Sequence, residues 1–164
     1  MGKRNKSNKR SECSGGIDVD ELTETLDLSL ENEKLTERLI RSIKAYSRYT
    51  PHERMIQLQS ARGARLQAVA RYLAQTSRIL RLALLGGLTG DTQKRGILLY
   101  RLVRVARKGA AYLGMKRAKK STFKSIDEEL TYHMELSELA HKAALDAMRS
   151  FATTSQACLN SHCL

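Results

Sequence analysis

Only one proline interrupts this chain of 164 residues, in which apolar residues otherwise recur at helical spacing. A spacing of three and four residues places apolar side chains on one face of an α-helix. Thr50, Pro51 and Glu53 have the pattern of a helix start, with an N-cap, a proline in the first turn and an acidic residue near the positive helix end. No stretch longer than four residues alternates as a strand does. The sequence therefore predicts an all-α fold.

Glycines mark the end of the long helix that begins at Pro51. Its apolar stripe runs from Met55 to Leu80, and Gly86-Gly87 is a stop signal. A second long helix is predicted from about Lys94 to Lys119. Because the connection between the two helices is short, we expect them to form an antiparallel hairpin.

The rest of the chain extends this hairpin in both directions. Residues 1–17 are small, polar and basic and are predicted to be a disordered arm. Residues 18–50 form an acidic-to-amphipathic helical extension, and residues 51–121 contain the hairpin core. An extra amphipathic helix and a tail occupy residues 122–164, and the helical pattern weakens from Phe151 onward.

Charge is distributed along the chain in blocks. The net charge is +12, yet residues 17–36 contain seven acids and one lysine, whereas residues 37–122 contain twenty Lys or Arg and three acids. No acidic residue occurs from Gln93 to Ser125. A helix that is merely solvated mixes charges of both signs, so this imbalance favours an anionic partner. Nucleic acid is the first anionic partner to consider.

Four cations share the side of the second long helix that faces away from its apolar stripe: Arg101, Arg104, Arg107 and Lys108. Helical periodicity places them within about 120° of one another. Lys116 and Arg117 extend the patch. Because few aromatic residues lie among these cations, recognition of phosphates and shape in a folded RNA or duplex fits better than stacking on single-stranded bases.

The connection before this helix is a candidate anion site. It is formed by Thr89, Gly90, Asp91, Thr92, Gln93, Lys94 and Arg95. Backbone N–H groups at a helix N-terminus point toward a docked phosphate, and the two cations reinforce that field. An ordinary solvated loop is the alternative. A nucleotide-binding cradle is not predicted, since the glycines follow a helix and no Gly-Lys-Ser/Thr is present.

The sequence has no pattern typical of catalysis or of a cofactor. His133 and His141 lie two turns apart and are predicted to be solvated. Cys158, His162 and Cys163 have an irregular spacing that leaves metal binding open. We expect no enzymatic activity, no cofactor and no small-molecule substrate. Because no run of eighteen apolar residues occurs, we expect no membrane span.

Several short motifs between residues 66 and 113 follow one another in a recognisable order. They are Val69-Ala70, Ala74-Gln75, Ile79-Leu80, Arg95-Gly96-Ile97-Leu98, Arg101-Leu102-Val103, Arg107-Lys108 and Tyr112-Leu113. Together they resemble the S-fifteen family of small-subunit ribosomal proteins. The front of the chain, with Leu28-Ser29-Leu30-Glu31, is similar to the longer mitochondrial members of that family.

The resemblance implies a structural constituent of the small ribosomal subunit that binds a junction of ribosomal RNA helices. By position, residues 89–94 with Arg95 correspond to the family's minor-groove loop. Arg107 and Lys108 correspond to its basic pair, and Tyr112 corresponds to its RNA-contacting tyrosine. Neighbouring ribosomal proteins are then the expected partners of both extensions. A mitochondrial ribosome is the expected location, and a cytoplasmic or other organellar ribosome is the alternative.

Two other functions stay open at this point. A helical DNA- or RNA-binding regulator would form a symmetric dimer and place Asn, Gln or Arg at base edges. The basic helix has no Asn or Gln after Gln93, which counts against such readout. A protein-interaction or membrane-surface helix bundle would leave a continuous, bulky apolar face uncovered after packing and would bind anionic lipid.

Overall fold

The computed structural model describes residues 16–116 and 123–163, with side chains as far as residue 152. Nearly all of this part is helical. The four helices are α1 (Val19–Ala45), α2 (Pro51–Leu84), α3 (Thr92–Tyr112) and α4 (Ile126–Cys163). The prediction of an all-α fold is confirmed. The basic arm as far as residue 15, Arg117 and the side chains of Cys158, His162 and Cys163 lie outside the described residues.

The start predicted for α2 is confirmed by its hydrogen bonds. The Thr50 hydroxyl oxygen accepts a hydrogen bond from the Glu53 backbone N–H at 3.1 Å, and the Thr50 backbone N–H donates to the Glu53 carboxylate at 2.8 Å. This capping box satisfies two donors at the helix start, and Pro51 fixes the first turn. α3, by contrast, ends earlier than the sequence predicts. It stops at Tyr112, and Gly114 follows with a φ of 73°.

A two-residue parallel strand pair joins the starts of α1 and α3, although the sequence predicts no strand. β1 (Ile17–Asp18) pairs with β2 (Leu88–Thr89), and the Ile17 backbone N–H donates to the Gly87 carbonyl oxygen at 2.8 Å. Segments of two residues are too short to show alternation, so this pairing is set by tertiary structure. It sends α1 and α3 away from the bridge in the same direction.

α2 is the central helix, and the other three run antiparallel to it. The first turns of α1 and α4 meet the last turns of α2 and the first half of α3 in one buried cluster, which includes Leu22, Leu26, Ile79, Leu80, Leu98, Leu102 and Leu130. At the opposite end, Ile43 of α1 packs near Ala61. α3 approaches α2 closely at Gly109, where a Cβ atom would lie 2.5 Å from Leu73 Cδ2.

α4 is part of the core and not an appended helix. Leu136, Ala140 and Ala144 are buried against the middle of α2, and a Cβ atom at Gly63 of α2 would lie 3.2 Å from the Phe151 ring. The helix continues past Phe151 to Cys163, although the sequence pattern weakens there. Within the described ranges, none of the helices combines the length and apolar character that crossing a membrane requires.

Candidate nucleic-acid interface

α3 presents two charged sides. We call Lys94, Arg101 and Lys108 the paired side, because their spacing of seven residues aligns them along one edge of the helix, next to α1. We call Tyr100, Arg104 and Arg107 the outward side, which continues the circumference away from α1 and toward α4. The two sides carry similar charge in the sequence but have different surroundings in the fold.

Each cation of the paired side meets a carboxylate of α1. The pairs are Lys94 with Asp20, Arg101 with Asp27 and Lys108 with Glu33. α1 and α3 start side by side at the strand pair, so acids at nearly seven-residue spacing on one helix match cations at the same spacing on the other. The expectation that no carboxylate balances these cations is therefore wrong. It was based on α3 alone, and the acids lie 74 or 75 residues earlier in the chain.

Glu33 anchors one end of the paired side inside the protein. Only 1% of its side chain is exposed, and its Oε1 atom accepts a hydrogen bond from Lys108 Nζ at 2.6 Å. Arg65 of α2 approaches the other carboxylate oxygen at 3.7 Å and bonds Glu37 at 3.2 Å. Burial raises the pKa of Glu33, and the neighbouring Lys108 opposes that shift. This cluster ties α1, α2 and α3 together, so Lys108 has a structural role.

The other two pairs are open to solvent. Lys94 and Asp20 are both more than half exposed, and their charged atoms are 3.3 Å apart. Arg101 is one-third exposed beside Asp27. Exposed ion pairs of this kind contribute about 0–1 kcal/mol to stability. Lys94 and Arg101 can therefore exchange a carboxylate for a phosphate, but the acids of α1 weaken the attraction of this side for any polyanion.

Arg104 keeps part of the charge of the outward side at the surface. The guanidinium carbon of Arg104 lies 5.8 Å from the ring centroid of Tyr100, which is 58% exposed. Arg104 is exposed and takes part in no hydrogen bond or ion pair among the described residues. A cationic group beside an exposed aromatic ring offers both a phosphate contact and a flat apolar surface.

A groove between α3 and α4 borders the outward side. Its volume is about 650 Å³, and Arg104 and Arg107 line it together with apolar residues such as Leu99, Val103 and Leu130. Glu129 of α4 supplies a carboxylate to the same groove. Glu129 thus borders the outward side, whereas each cation of the paired side forms an ion pair with a carboxylate of α1.

His133 follows Leu130 by one turn of α4, and the expectation that it is solvated is wrong. The side chain is fully buried, and its Nδ1 atom lies 2.8 Å from the carbonyl oxygen of Glu129. Burial lowers the pKa of His133, and the positive charge of Arg107 lowers it further. Arg107 therefore acts electrostatically on the buried side chain of His133 in α4. His141, the second histidine considered, is partly exposed.

The connection between α2 and α3 is held by contacts within the chain. Asp91 caps α3, because its carboxylate accepts a hydrogen bond from the Lys94 backbone N–H at 2.9 Å. This carboxylate stands where a docked phosphate was expected, so the connection is not a simple anion cradle. Gly90 has a φ of 110°, and a Cβ atom there would lie 2.8 Å from both Asp18 and Val19. The connection is therefore packed closely against the start of α1.

Other residues of this predicted site fall in different surroundings. Thr89 belongs to β2, whereas Thr92 and Gln93 lie exposed in the first turn of α3. The Arg95 guanidinium donates to the Leu88 carbonyl oxygen at 3.3 Å and to the Thr92 hydroxyl at 3.0 Å. Arg95 therefore stabilises the connection and is only partly available to a ligand.

The far end of α3 separates the remaining predicted residues. Tyr112 is 40% exposed, and the Arg65 guanidinium lies 4.8 Å from its ring centroid. This contact places Tyr112 beside the Glu33 cluster and not on the outward side. Lys116 is exposed beyond the helix end. The structure thus brings Arg104 and Arg107 together with Tyr100, a residue that the sequence analysis did not select.

The α1 carboxylates were also missed, although the sequence contains a signal for them. Asp20 and Asp27 are seven residues apart, as are Lys94 and Arg101. Equal spacing on two helices predicts aligned ion pairs once the helices are known to be parallel neighbours. Their adjacency depends on tertiary structure and could not be read from local patterns.

No three His, Cys, Asp or Glu side chains in the described part of the chain are arranged to hold a metal ion. Comparison of the chain with protein-family models, with curated proteins and with solved structures finds no match. Function must therefore be argued from the geometry of α3 and from the motifs of the sequence.

Proposed function

We propose that this protein is a structural, non-catalytic constituent of the small ribosomal subunit and binds ribosomal RNA through the outward side of α3. The observation that carries the proposal is the exposed Arg104 beside Tyr100, on a helix without any acidic residue. The motifs of residues 66–113, which resemble the S-fifteen family, support it from the sequence. The similarity of residues 28–31 to mitochondrial members favours a mitochondrial ribosome.

The binding mechanism is phosphate neutralisation. A guanidinium group can donate two parallel hydrogen bonds to a phosphate, and each neutralised phosphate releases condensed counterions. Arg104 and Arg107 are one helical turn apart and can contact neighbouring phosphates where RNA strands converge. The exposed ring of Tyr100 provides a surface for a ribose or an unstacked base.

The acids of α1 determine which way the RNA lies. A phosphate over the paired side would approach Asp20 and Asp27 as well as Lys94 and Arg101, so attraction and repulsion would largely cancel. The RNA backbone is therefore expected to follow the outward side, with Lys116 at the end of the track. This orientation separates the proposal from one in which all cations of α3 contribute equally.

Charge reversal on the outward side tests the proposal. We expect Arg104→Glu combined with Arg107→Glu to weaken binding to small-subunit ribosomal RNA by about 100-fold, because two phosphate contacts become repulsive. The matched control is Arg71→Glu with Arg78→Glu, which changes the net charge equally on exposed positions of α2. We expect the control to weaken binding by about tenfold or less, through the overall field alone.

Circular dichroism and sedimentation complete the test. Loss of helical signal in the Arg104/Arg107 variant would mean that these residues support the fold, and equal losses in both variants would mean that binding lacks a defined face. Tagged protein should sediment with the small subunit, in a mitochondrial fraction, and leave it only at high salt. RNA or DNA binding without ribosome association would contradict the ribosomal proposal and favour a regulator.

A further inference from the structure

α1 exposes a line of large apolar side chains. Leu28, Leu35 and Leu39 are 68%, 52% and 48% exposed. Their spacing of seven and four residues places them within about 40° of one another on the helix, and we call this line the α1 seam. Tyr46, the C-cap residue that follows α1, is 48% exposed and lies seven residues beyond Leu39. The opposite face of α1 is buried on α2, so the seam is the outer surface of a well-packed helix. A continuous apolar line of this kind marks a contact surface.

Charged residues border one edge of the seam in a fixed order. Glu24, Glu31 and Arg38 are spaced seven residues apart, and all three side chains are exposed. In the described part of the chain, no ion pair involves any of them. The edge therefore changes from negative to positive along the helix.

The seam has the heptad pattern of a coiled coil. Leu28 and Leu35 occupy d positions, Leu39 occupies an a position, and the bordering charges occupy g positions. The polar residues Asn32 and Ser42 occupy the other a and d positions of this stretch. The e positions include Ser29 and Thr36, which are buried inside the chain's own core. A partner helix can therefore contact only the a, d and g residues.

An antiparallel second copy of α1 fits this pattern. Antiparallel coiled coils pair a with d and g with g. The register that places Leu28 opposite Leu39 of the second copy also places Glu31 opposite Arg38 of the second copy. The twofold axis repeats both contacts, so the surface is complementary to itself, as an isologous interface requires. A parallel copy would direct the g residues toward e positions that are already buried.

We propose that the α1 seam is the interface of an antiparallel homodimer of the free protein. Residues 1–15 contain no Leu, Ile, Val or Phe, so they offer no large aliphatic side chain that would pair with the leucines of the seam. RNA is disfavoured because Glu24 and Glu31 repel phosphate. The inference goes beyond the proposed function, since the outward side of α3 takes no part in the seam.

Sedimentation equilibrium of the full chain measures the self-association. We expect a reversible dimer, and we expect Leu35→Asp to raise its dissociation constant by at least about tenfold, because a central apolar contact is replaced by a charge. Leu35 is exposed in the single chain, so the thermal unfolding midpoint of this variant should be nearly unchanged. A wild-type chain that stays monomeric at about 200 μM would overturn the proposal.

Charge exchange tests the antiparallel register. Glu31→Arg and Arg38→Glu should each raise the dissociation constant by about tenfold, since like charges then meet at both ends of the interface. Both substitutions in one chain should restore the wild-type value, and the two single variants should associate with each other when mixed. Arg71→Glu on α2 is the charge-matched control for Arg38→Glu and should leave the dissociation constant unchanged. Failure of the double variant or of the mixture to restore association would overturn the proposed register.

The dimer proposal and the RNA-binding proposal can be contradicted independently of each other. A dimer whose Leu35→Asp monomer still sediments with the small subunit supports both proposals, since the seam then serves only the free protein. A symmetric dimer is also expected of a DNA- or RNA-binding regulator. Sedimentation with the small ribosomal subunit therefore distinguishes a ribosomal protein that dimerises when free from such a regulator. Loss of RNA binding in the Arg104/Arg107 variant leaves the dimer measurement unaffected.

Discussion

The two sides of α3 share one helix and one residue chemistry but differ in what lies across from them. Lys94, Arg101 and Lys108 face carboxylates of α1, whereas Arg104 stands beside an exposed tyrosine. Basic charge in a sequence therefore does not by itself define a binding surface. An acidic segment elsewhere in the same chain can neutralise one side of a basic helix and leave the adjacent side available.

The burial of the ion pairs on the paired side differs between its two ends. Glu33 is buried and bridges three helices, while Asp20 at the other end is mostly in water. Ion pairs that exclude water are costly to break, whereas exposed pairs contribute little. The same kind of salt bridge thus supports the fold at one end of α1 and can be exchanged at the other.

The largest effect on stability is expected at the buried end. We expect Glu33→Ala to lower the free energy of unfolding by about 2–3 kcal/mol, because Lys108 loses its charged hydrogen-bonding partner, Arg65 loses a nearby carboxylate, and a small cavity forms. Asp27→Ala, which breaks an exposed pair on the same helix, should cost about 0.5 kcal/mol. Urea denaturation of the two variants measures the difference. Equal losses would contradict the distinction between buried and exposed ends.

A smaller effect on stability is expected from the protonation of His133, whose pKa also reports the position of Arg107. Burial, and then Arg107, hold the pKa of His133 below its ordinary value of 6.5. Below pH 6.5 the unfolded chain therefore binds a proton that the folded chain resists, so stability should fall as pH decreases and recover as it rises. Arg107→Gln should raise the pKa of His133, measured by NMR titration of the imidazole. An unchanged pKa would mean that Arg107 points away from α4.

The smallest effect is expected at the exposed end. Asp20→Asn should change the free energy of unfolding by less than about 0.5 kcal/mol, because both members of its pair are already solvated. By releasing Lys94, the same substitution should strengthen RNA binding by roughly threefold or less. A filter-binding titration at fixed salt measures the gain. Weaker binding in this variant would mean that Asp20 itself contacts the ligand.

Local signals in the sequence predicted the helices of the fold but not the β1–β2 strand pair. Thr50, Pro51 and Glu53 marked the start of α2, and Gly86-Gly87 marked its end, because caps and stop signals depend on adjacent residues. The spacing of His133 on α4 is a local signal that this residue is buried. Leu130, His133, Ser137, Ala140 and Ala144 repeat at spacings of three and four, and that stripe is buried. The polar character of His133 led to the wrong expectation, although its spacing was that of a core residue.

The candidate site was less predictable, since it depends on distant segments. The short β1–β2 bridge sets α1 beside α3, and that placement decides which cations are paired. No pattern within residues 92–112 reports the position of Asp20 or Glu33. The RNA contacts of Arg104, Arg107 and Lys116 stay a prediction. The exposure of Tyr100 beside Arg104, which the sequence does not show, makes it part of the site.

The salt dependence of RNA binding tests the division of α3 most directly. The slope of log affinity against log salt concentration reports how many phosphates are neutralised. We expect Arg104→Ala with Arg107→Ala to reduce that slope by about two, whereas Lys94→Ala with Arg101→Ala should reduce it by about 0.5 or less. The reverse order, or equal reductions in both variants, would contradict the account.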